Sequence, residues 1–292
     1  MRNLPNPSRD RDKSDLRKAV RRYTYGGVPK GHNIIAAEVE GVVKLYDLYE
    51  ANRGTACDAL KGCDLPVTLL DTIHAAFDKT HEGRQLHALR EMLFKGVALC
   101  PICGIAPPTE LDHHLPQSVF KPLGIHARNL VPMCHLCNHA KLAGFGEGGA
   151  AFLHVYYDTL PDVDFLKVDI ALDGGTLVAT FTIDAEAVLP AGFTDRLSGQ
   201  MQVLELNDRY QQEVNTYVAS HAVTLHLAYG ADGQDGVCTI LRLQARFERR
   251  AFHRNHWRPV LLRALTDHDG FTSGGFAEVL PIPADMLSDL AS

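Results

Sequence analysis

Between Asn33 and Lys95 the apolar positions recur at helical spacing. Ile35, Val39, Val42, Val43, Tyr46 and Tyr49 fall on one side of a helix that Asn33 can cap and Asn52-Arg53-Gly54 ends. A second helix opens at Pro66 and runs to about Lys79, with Leu69, Leu70, Ile73 and Phe77 on its apolar side. A third spans Glu82 to Lys95, carries Leu86, Leu89, Met92 and Leu93, and stops at Gly96. The period then changes. Thr109–Leu115 alternates as a strand, and Asn129–Met133 can be its antiparallel partner. Pro116, Pro122 and Gly124 mark the connection as a loop. From Cys134 the chain reads as a short helix closed by Gly144. Farther on, FLKVDIAL and TLVATFTID alternate around Asp173-Gly174-Gly175 and predict a hairpin over 165–184. One or two helices follow over 194–226. After a Gly-Asp-Gly loop near 230–236 another helix runs through Arg250, and 266–292 reads as loop and a short terminal helix. The chain has no internal repeats.

Chemistry concentrates between Cys100 and Lys141. Two Cys-x-x-Cys pairs, Cys100/Cys103 and Cys134/Cys137, bracket the predicted hairpin. Four thiolates about 2.3 Å from one Zn²⁺ make a closed structural site, and two such pairs are the usual way to supply them. A redox pair needs only one knuckle. The zinc-deaminase pattern is absent: no His-x-Glu precedes Cys100, and Pro101 lies inside the knuckle. A four-cysteine site leaves no corner for an activated water, so any reaction belongs to other residues. Asp112 and Asn138 offer hard oxygen donors suited to Mg²⁺ rather than to zinc. His113 is a neutral imidazole near pH 7 and a candidate base toward water.

The Asp112-His113 pair, the phrase HHLPQS with Pro116, the Asn-Leu-Val run from Asn129 and the CxxCNxxK ending at Lys141 stand in a definite order. In that order they resemble the HNH, or ββα-metal, nuclease family, in the subset with a four-cysteine zinc. The resemblance spans Cys100 to Lys141. It implies that His113 is the general base and that Asp112 and Asn138 ligate a catalytic Mg²⁺ or Mn²⁺. It also implies that Asn129 is the hairpin asparagine holding the loop so that His113 faces the metal. The implied reaction is one-metal hydrolysis of a phosphodiester, leaving a 5′-phosphate and a 3′-hydroxyl. His114 departs from the pattern. Alternation puts it on the strand face opposite His113, for packing or a phosphate contact. His135 and His139 read as a solvated helix face, with a contact to the metal or a phosphate open to His139, and Lys141 reads as a phosphate contact or a surface lysine. The phrase AFLHVYYDTL, with His154 and Asp158, resembles the segment after the HNH core in some bacterial defence nucleases that work beside an ATPase.

The expected fold is therefore α+β. It comprises a basic N-terminal arm (1–32), a helical region (33–96), a zinc-stabilised ββα-metal core (97–146) and a C-terminal α+β region (147–292). The glycine-rich FGEGGA at 145–150 marks the edge of the core; it lacks the Lys and Ser/Thr of a P-loop. Net charge is −6, so contact with nucleic acid must rest on local basic patches. The best stripe is Arg242, Arg246, Arg249 and Arg250, followed by Arg254, Arg258 and Arg263 with Trp257 among them. Its bland counterpart is a solvated face, or one that meets an acidic partner. Arg17, Lys18, Arg21 and Arg22 in the arm are open to two readings: a backbone contact, or a flexible terminus balanced by Asp10, Asp12 and Asp15. Cys57, Cys63 and Cys238 read as ordinary thiols, and seven cysteines fit a reducing interior. No apolar run reaches membrane-spanning length and no signal-peptide core is present, so a cytoplasmic location is expected.

The leading expectation is a metal-dependent DNA endonuclease, with RNA left open as substrate. It would serve as the effector of an anti-phage system, with an ATPase or other regulatory protein as partner. The alternatives are a stand-alone restriction or nicking enzyme, and a non-catalytic zinc-stabilised nucleic-acid-binding protein.

Overall fold

A computed structural model describes residues 2–142, 152–283 and 286, which fold as α+β with three two-stranded antiparallel sheets among the described residues. The chain divides into two units, 3–159 and the residues from Leu160 onward.

In the first unit the N-terminal segment is packed rather than loose as far as Val20. Leu4 is buried and its N–H donates to the Val155 carbonyl at 2.9 Å. Helix α1 (Asp12–Val20) buries Leu16, Ala19 and Val20. The chain then forms a small ribbon, β1 (Tyr23–Tyr25) and β2 (Val28–Lys30). Helix α2 (Ala36–Ala51) buries Val39, Val42, Tyr46 and Tyr49 along one face, as the 3.6-residue period requires. Its cap is Ile35 instead of Asn33, because Glu38 Oε2 accepts the Ile35 N–H at 2.9 Å and satisfies the helix start from inside. Helix α3 (Val67–Ala75) starts after Pro66 and tightens into a 3₁₀ turn through Thr80. Helix α4 (His87–Phe94) begins later than its apolar spacing suggests, since Gly83 sits at φ +72° and breaks the segment.

Helix α4 supports the next hairpin, β3 (Glu110–His113) and β4 (Leu130–Met133), in which Asp112 lies opposite Val131 and His113 opposite Leu130. Leu89 and Leu93 pack on Leu111, Ala127 and Leu130, with Phe77 and Met92 at the margin. Helix α5 (His135–Lys141) follows β4 directly. Gly144 and the FGEGGA segment lie outside the described residues. The segment Phe152–Asp158, expected in the C-terminal region, belongs here. Phe152, Leu153, Val155, Tyr156 and Tyr157 are buried, and Tyr156 Oη donates to the Leu130 carbonyl at 2.8 Å. The division consequently falls after residue 159.

The second unit is built on the hairpin of β5 (Leu166–Asp173) and β6 (Thr176–Ile183). Its two-residue turn puts Gly174 and Gly175 at φ +53° and +78°, which a type I′ turn demands. Helices α6 (Phe193–Val203) and α7 (Leu206–Ala219) follow, then α8 (Ala222–Ala251), broken at Asp232-Gly233, and α9 (Trp257–Thr266). The outer edge of β6 is closed by side-chain amides of α7. Asn207, Gln211 and Asn215 bond the backbone of Phe181, Ala179 and Leu177 at 2.7–3.2 Å. Four helical residues rise about 6.0 Å and two strand residues about 6.8 Å, so amides one helical turn apart stay in step with alternate strand residues. At the start of β5, Asn255 Oδ1 accepts the N–H groups of Phe165 and Leu166. Among the described residues no helix is long and apolar enough to cross a membrane.

Candidate metal centre

The four knuckle cysteines converge. Cys100, Cys103, Cys134 and Cys137 are buried and their sulfurs all lie within 4.8 Å of one another. Gly104 at φ +68° turns the first knuckle so that the Ile105 N–H donates to Cys103 Sγ at 3.4 Å. Cys134 caps α5 and Cys137 stands one turn inside it. Cys103 and Cys134 Sγ are 3.7 Å apart. A tetrahedron with 2.3 Å arms has an edge of about 3.8 Å, so this spacing fits a zinc ion. The crowding splits the thiols. Contact with Cys100 lowers Cys103 and brings Cys134 down to about 6, whereas Cys100 and Cys137 are pushed up by their thiol neighbours. A doubly charged cation among them would let all four ionise. Cys57, Cys63 and Cys238 are free thiols.

With α5 tied to the first knuckle, its inner side lies along β3. Glu110 and Asp112, two apart on the strand, both meet it. Asn138 Nδ2 donates to Glu110 Oε2 at 2.6 Å, and His135 Nδ1 is 2.8 Å from Glu110 Oε1. The Asn138 bond holds the Glu110 carboxyl below its usual range, with His135 adding to it. Because the donor end of the Asn138 amide is occupied, its carbonyl oxygen is the end left for a cation. Lys141 differs from both expectations for it. One turn beyond Asn138 on the same inner side, it is 5% exposed, pairs with Asp112 Oδ2 at 2.8 Å and donates to the His113 carbonyl at 2.8 Å. His135 and His139 are exposed.

His113 faces the other way from Asp112. It is buried beside Phe77, ring centroids 4.5 Å apart, and its Nε2 lies 2.8 Å from the Gly124 carbonyl. A carbonyl only accepts, so Nε2 carries the proton and Nδ1 keeps the lone pair. Burial lowers His113 from 6.5 to about 4. His114, as alternation demands, turns away from His113 and sits against His154, ring centroids 4.1 Å apart.

Asn129 ties the hairpin loop to its stem. Its Oδ1 accepts from the Leu115 N–H at 2.8 Å, and its Nδ2 donates to the carbonyls of Leu115 and Leu123. Tyr49 Oη, 3.1 Å from Asn129 Oδ1, donates to it and lies 2.8 Å from His154 Nε2. His154 Nδ1 accepts the Tyr156 N–H, so His154 in turn donates to Tyr49. Gly54 makes room for this ring: a Cβ there would meet His154 Cδ2 at 2.3 Å. Tyr49 and Glu110 carry no motif, and His154 stands out in the sequence only within AFLHVYYDTL. Glu110 had one signal, since strand alternation places it beside Asp112.

Acid should weaken this unit through its buried imidazoles. His113 and the fully buried His126, also lowered by burial, favour the neutral ring when folded. Their stabilisation is complete above the unfolded value of 6.5 and declines as pH falls below it, for His113 until about 4. For His113 the limit is about 3 kcal/mol. Urea midpoints measured from pH 7 to 4.5 should fall less steeply in His113→Gln than in the unaltered chain. Parallel slopes would remove His113 from the account.

In the second unit Arg242, Arg246, Arg249 and Arg250 are exposed on α8. Leu243 and Phe247 stand exposed among them, 55% and 65%. The rest of the basic run is used internally. Arg254 pairs with Asp162 and Asp164, Arg263 with Asp164, and Arg258 lies over Tyr217 and Trp257.

Set against known proteins, the chain matches no family model, no curated protein and no solved structure.

Proposed function

We propose that this chain is a metal-dependent endonuclease of the HNH type, hydrolysing phosphodiester bonds of DNA. The observation that carries the reading is the cysteine-clamped β3–β4–α5 arrangement, with Asp112 and Asn138 on one strand–helix seam beside the loop that Asn129 holds. A divalent ion held by Asp112 and the Asn138 carbonyl would supply positive charge against the phosphate oxygens. The chain's own groups do the rest. His113, on the other side of β3 from Asp112, would take the proton of the attacking water at Nδ1, the ring atom that its bond to the Gly124 carbonyl leaves free. Lys141 neutralises Asp112 and braces the His113 carbonyl, which fixes the end of β3.

A second reading has its own support. The buried His113 and the Asp112–Lys141 pair also suit a zinc-stabilised binding protein without catalysis. Incubating the purified chain with plasmid and with oligonucleotides in Mg²⁺, Mn²⁺ or chelator decides between them. Cleavage that requires the added metal supports the nuclease, and none under any condition ends it. A regulatory partner, an ATPase among the candidates, is proposed to raise or direct that cleavage. Exposed arginines on α8 are the proposed second contact with DNA. Arg246→Glu with Arg250→Glu should lower the slope of log affinity against log salt by roughly 2. An unchanged slope would leave that face, with Leu243 and Phe247, to a protein.

A further inference from the structure

The ribbon of β1 and β2 has no role in the site above, yet it is built with care. Residues 21–31 are exposed without interruption. Its root is fixed. Gly31 at φ +80° fits where a Cβ would meet the Arg21 carbonyl oxygen at 2.6 Å, and the His32 N–H donates to the Val20 carbonyl at 2.8 Å. The His32 ring is held between Thr68 Oγ1 and Glu38 Oε2. From that root the strands pair Tyr23 with Lys30 and Tyr25 with Val28, turning at Gly26-Gly27.

Paired residues share a face. One face of the ribbon therefore carries Tyr23, Tyr25, Val28 and Lys30, and the other only Thr24 and Pro29. The first face is uncovered: Tyr23, Tyr25 and Val28 are 50%, 75% and 53% exposed. A lone hairpin gains little stability in water, and this one buries neither side. Charge identifies the occupant. No acidic residue occurs between Asp15 and Glu38, whereas Arg17, Lys18, Arg21, Arg22 and Lys30 do. Arg17, Arg21, Arg22 and Lys30 have no ion-pair partner among the described residues, and Lys79 Nζ stands 5.5 Å from the Tyr23 ring centre. In a chain of net charge −6 this is a local reversal of sign.

We infer that the ribbon binds a single-stranded stretch of nucleic acid, stacking bases on Tyr23 and Tyr25 while Arg21, Arg22 and Lys30 meet its phosphates. Aromatic rings interleaved with cations are what such strands require. Side chains two apart on a strand stand about 6.8 Å apart, twice the roughly 3.4 Å between stacked bases, so one base fits between the two rings. Duplex bases present edges rather than faces, which gives the ribbon a preference for opened or unpaired substrate. The inference deepens the nuclease reading, since ribbon and candidate site share the unit 3–159.

The test is fluorescence anisotropy with the full zinc-loaded chain and no added divalent metal. The probes are a labelled oligo-dT of about 20 nucleotides, longer than one such site, and a duplex. Tyr23→Ser with Tyr25→Ser should weaken single-strand binding about 100-fold, near 10-fold for each stacking ring removed, with an unchanged salt slope. Arg21→Gln with Arg22→Gln should lower that slope by roughly 1.4. Equal zinc content in all variants guards against misfolding. The inference is overturned if the tyrosine pair binds the strand as the unaltered chain does. It is overturned if that pair loses duplex and single strand equally, or if the unaltered chain binds no strand but adheres to anionic vesicles. Ribbon-dependent binding without cleavage would sink the nuclease proposal and leave this one standing.

Discussion

His113→Ala should remove the proposed metal-dependent cleavage, a loss of at least about 100-fold and up to about 10⁴-fold if the ring is the general base. Zinc content should stay as in the unaltered chain, because the sulfurs do not depend on the ring. The imidazole is buried against Phe77, so alanine also leaves a cavity beside the hairpin. His113→Gln is the control for that cost, since it fills more of the space and retains a donor for the Gly124 carbonyl. Both variants should be inactive in the plasmid assay, with the glutamine variant nearer normal thermal stability. Cleavage by either at the ordinary rate would take the base role from His113 and turn attention to His114, on the opposite side.

Cys134→Ser should cost the first unit its fold. Cys134 caps α5, and its sulfur is one of four that meet. Structural zinc contributes roughly 10–16 kcal/mol of apparent folding free energy in small zinc domains, against a total stability of about 5–15 kcal/mol for a domain. A serine that abolishes the site is therefore expected to give insoluble or unfolded protein. Metal analysis should find one zinc per unaltered chain, and a strong chelator should lower its melting temperature. Zinc-free protein that melts at the same temperature would dismiss the centre altogether.

Much of this was legible because it is periodic. Alternation in 110–113 and 165–184 gave strands, and Leu89 and Leu93 gave the helix face that packs on the first of them. The paired cysteines were legible because ligand spacing is local. What stayed hidden is what depends on distant partners. Nothing near Tyr49 says that it links His154 to Asn129. Lys141 looks like any lysine at a helix end until Asp112 is placed opposite it. The ribbon of β1 and β2 stayed hidden because strands of three residues are too short to show a period.

The amides of α7 on β6 have a consequence for the chain's behaviour in a crowded solution. Asn207, Gln211 and Asn215 occupy backbone groups at which another extended chain would otherwise add itself. The α7 side of the hairpin is thereby closed to strand-by-strand growth between molecules. Such growth there would first require prising the helix away.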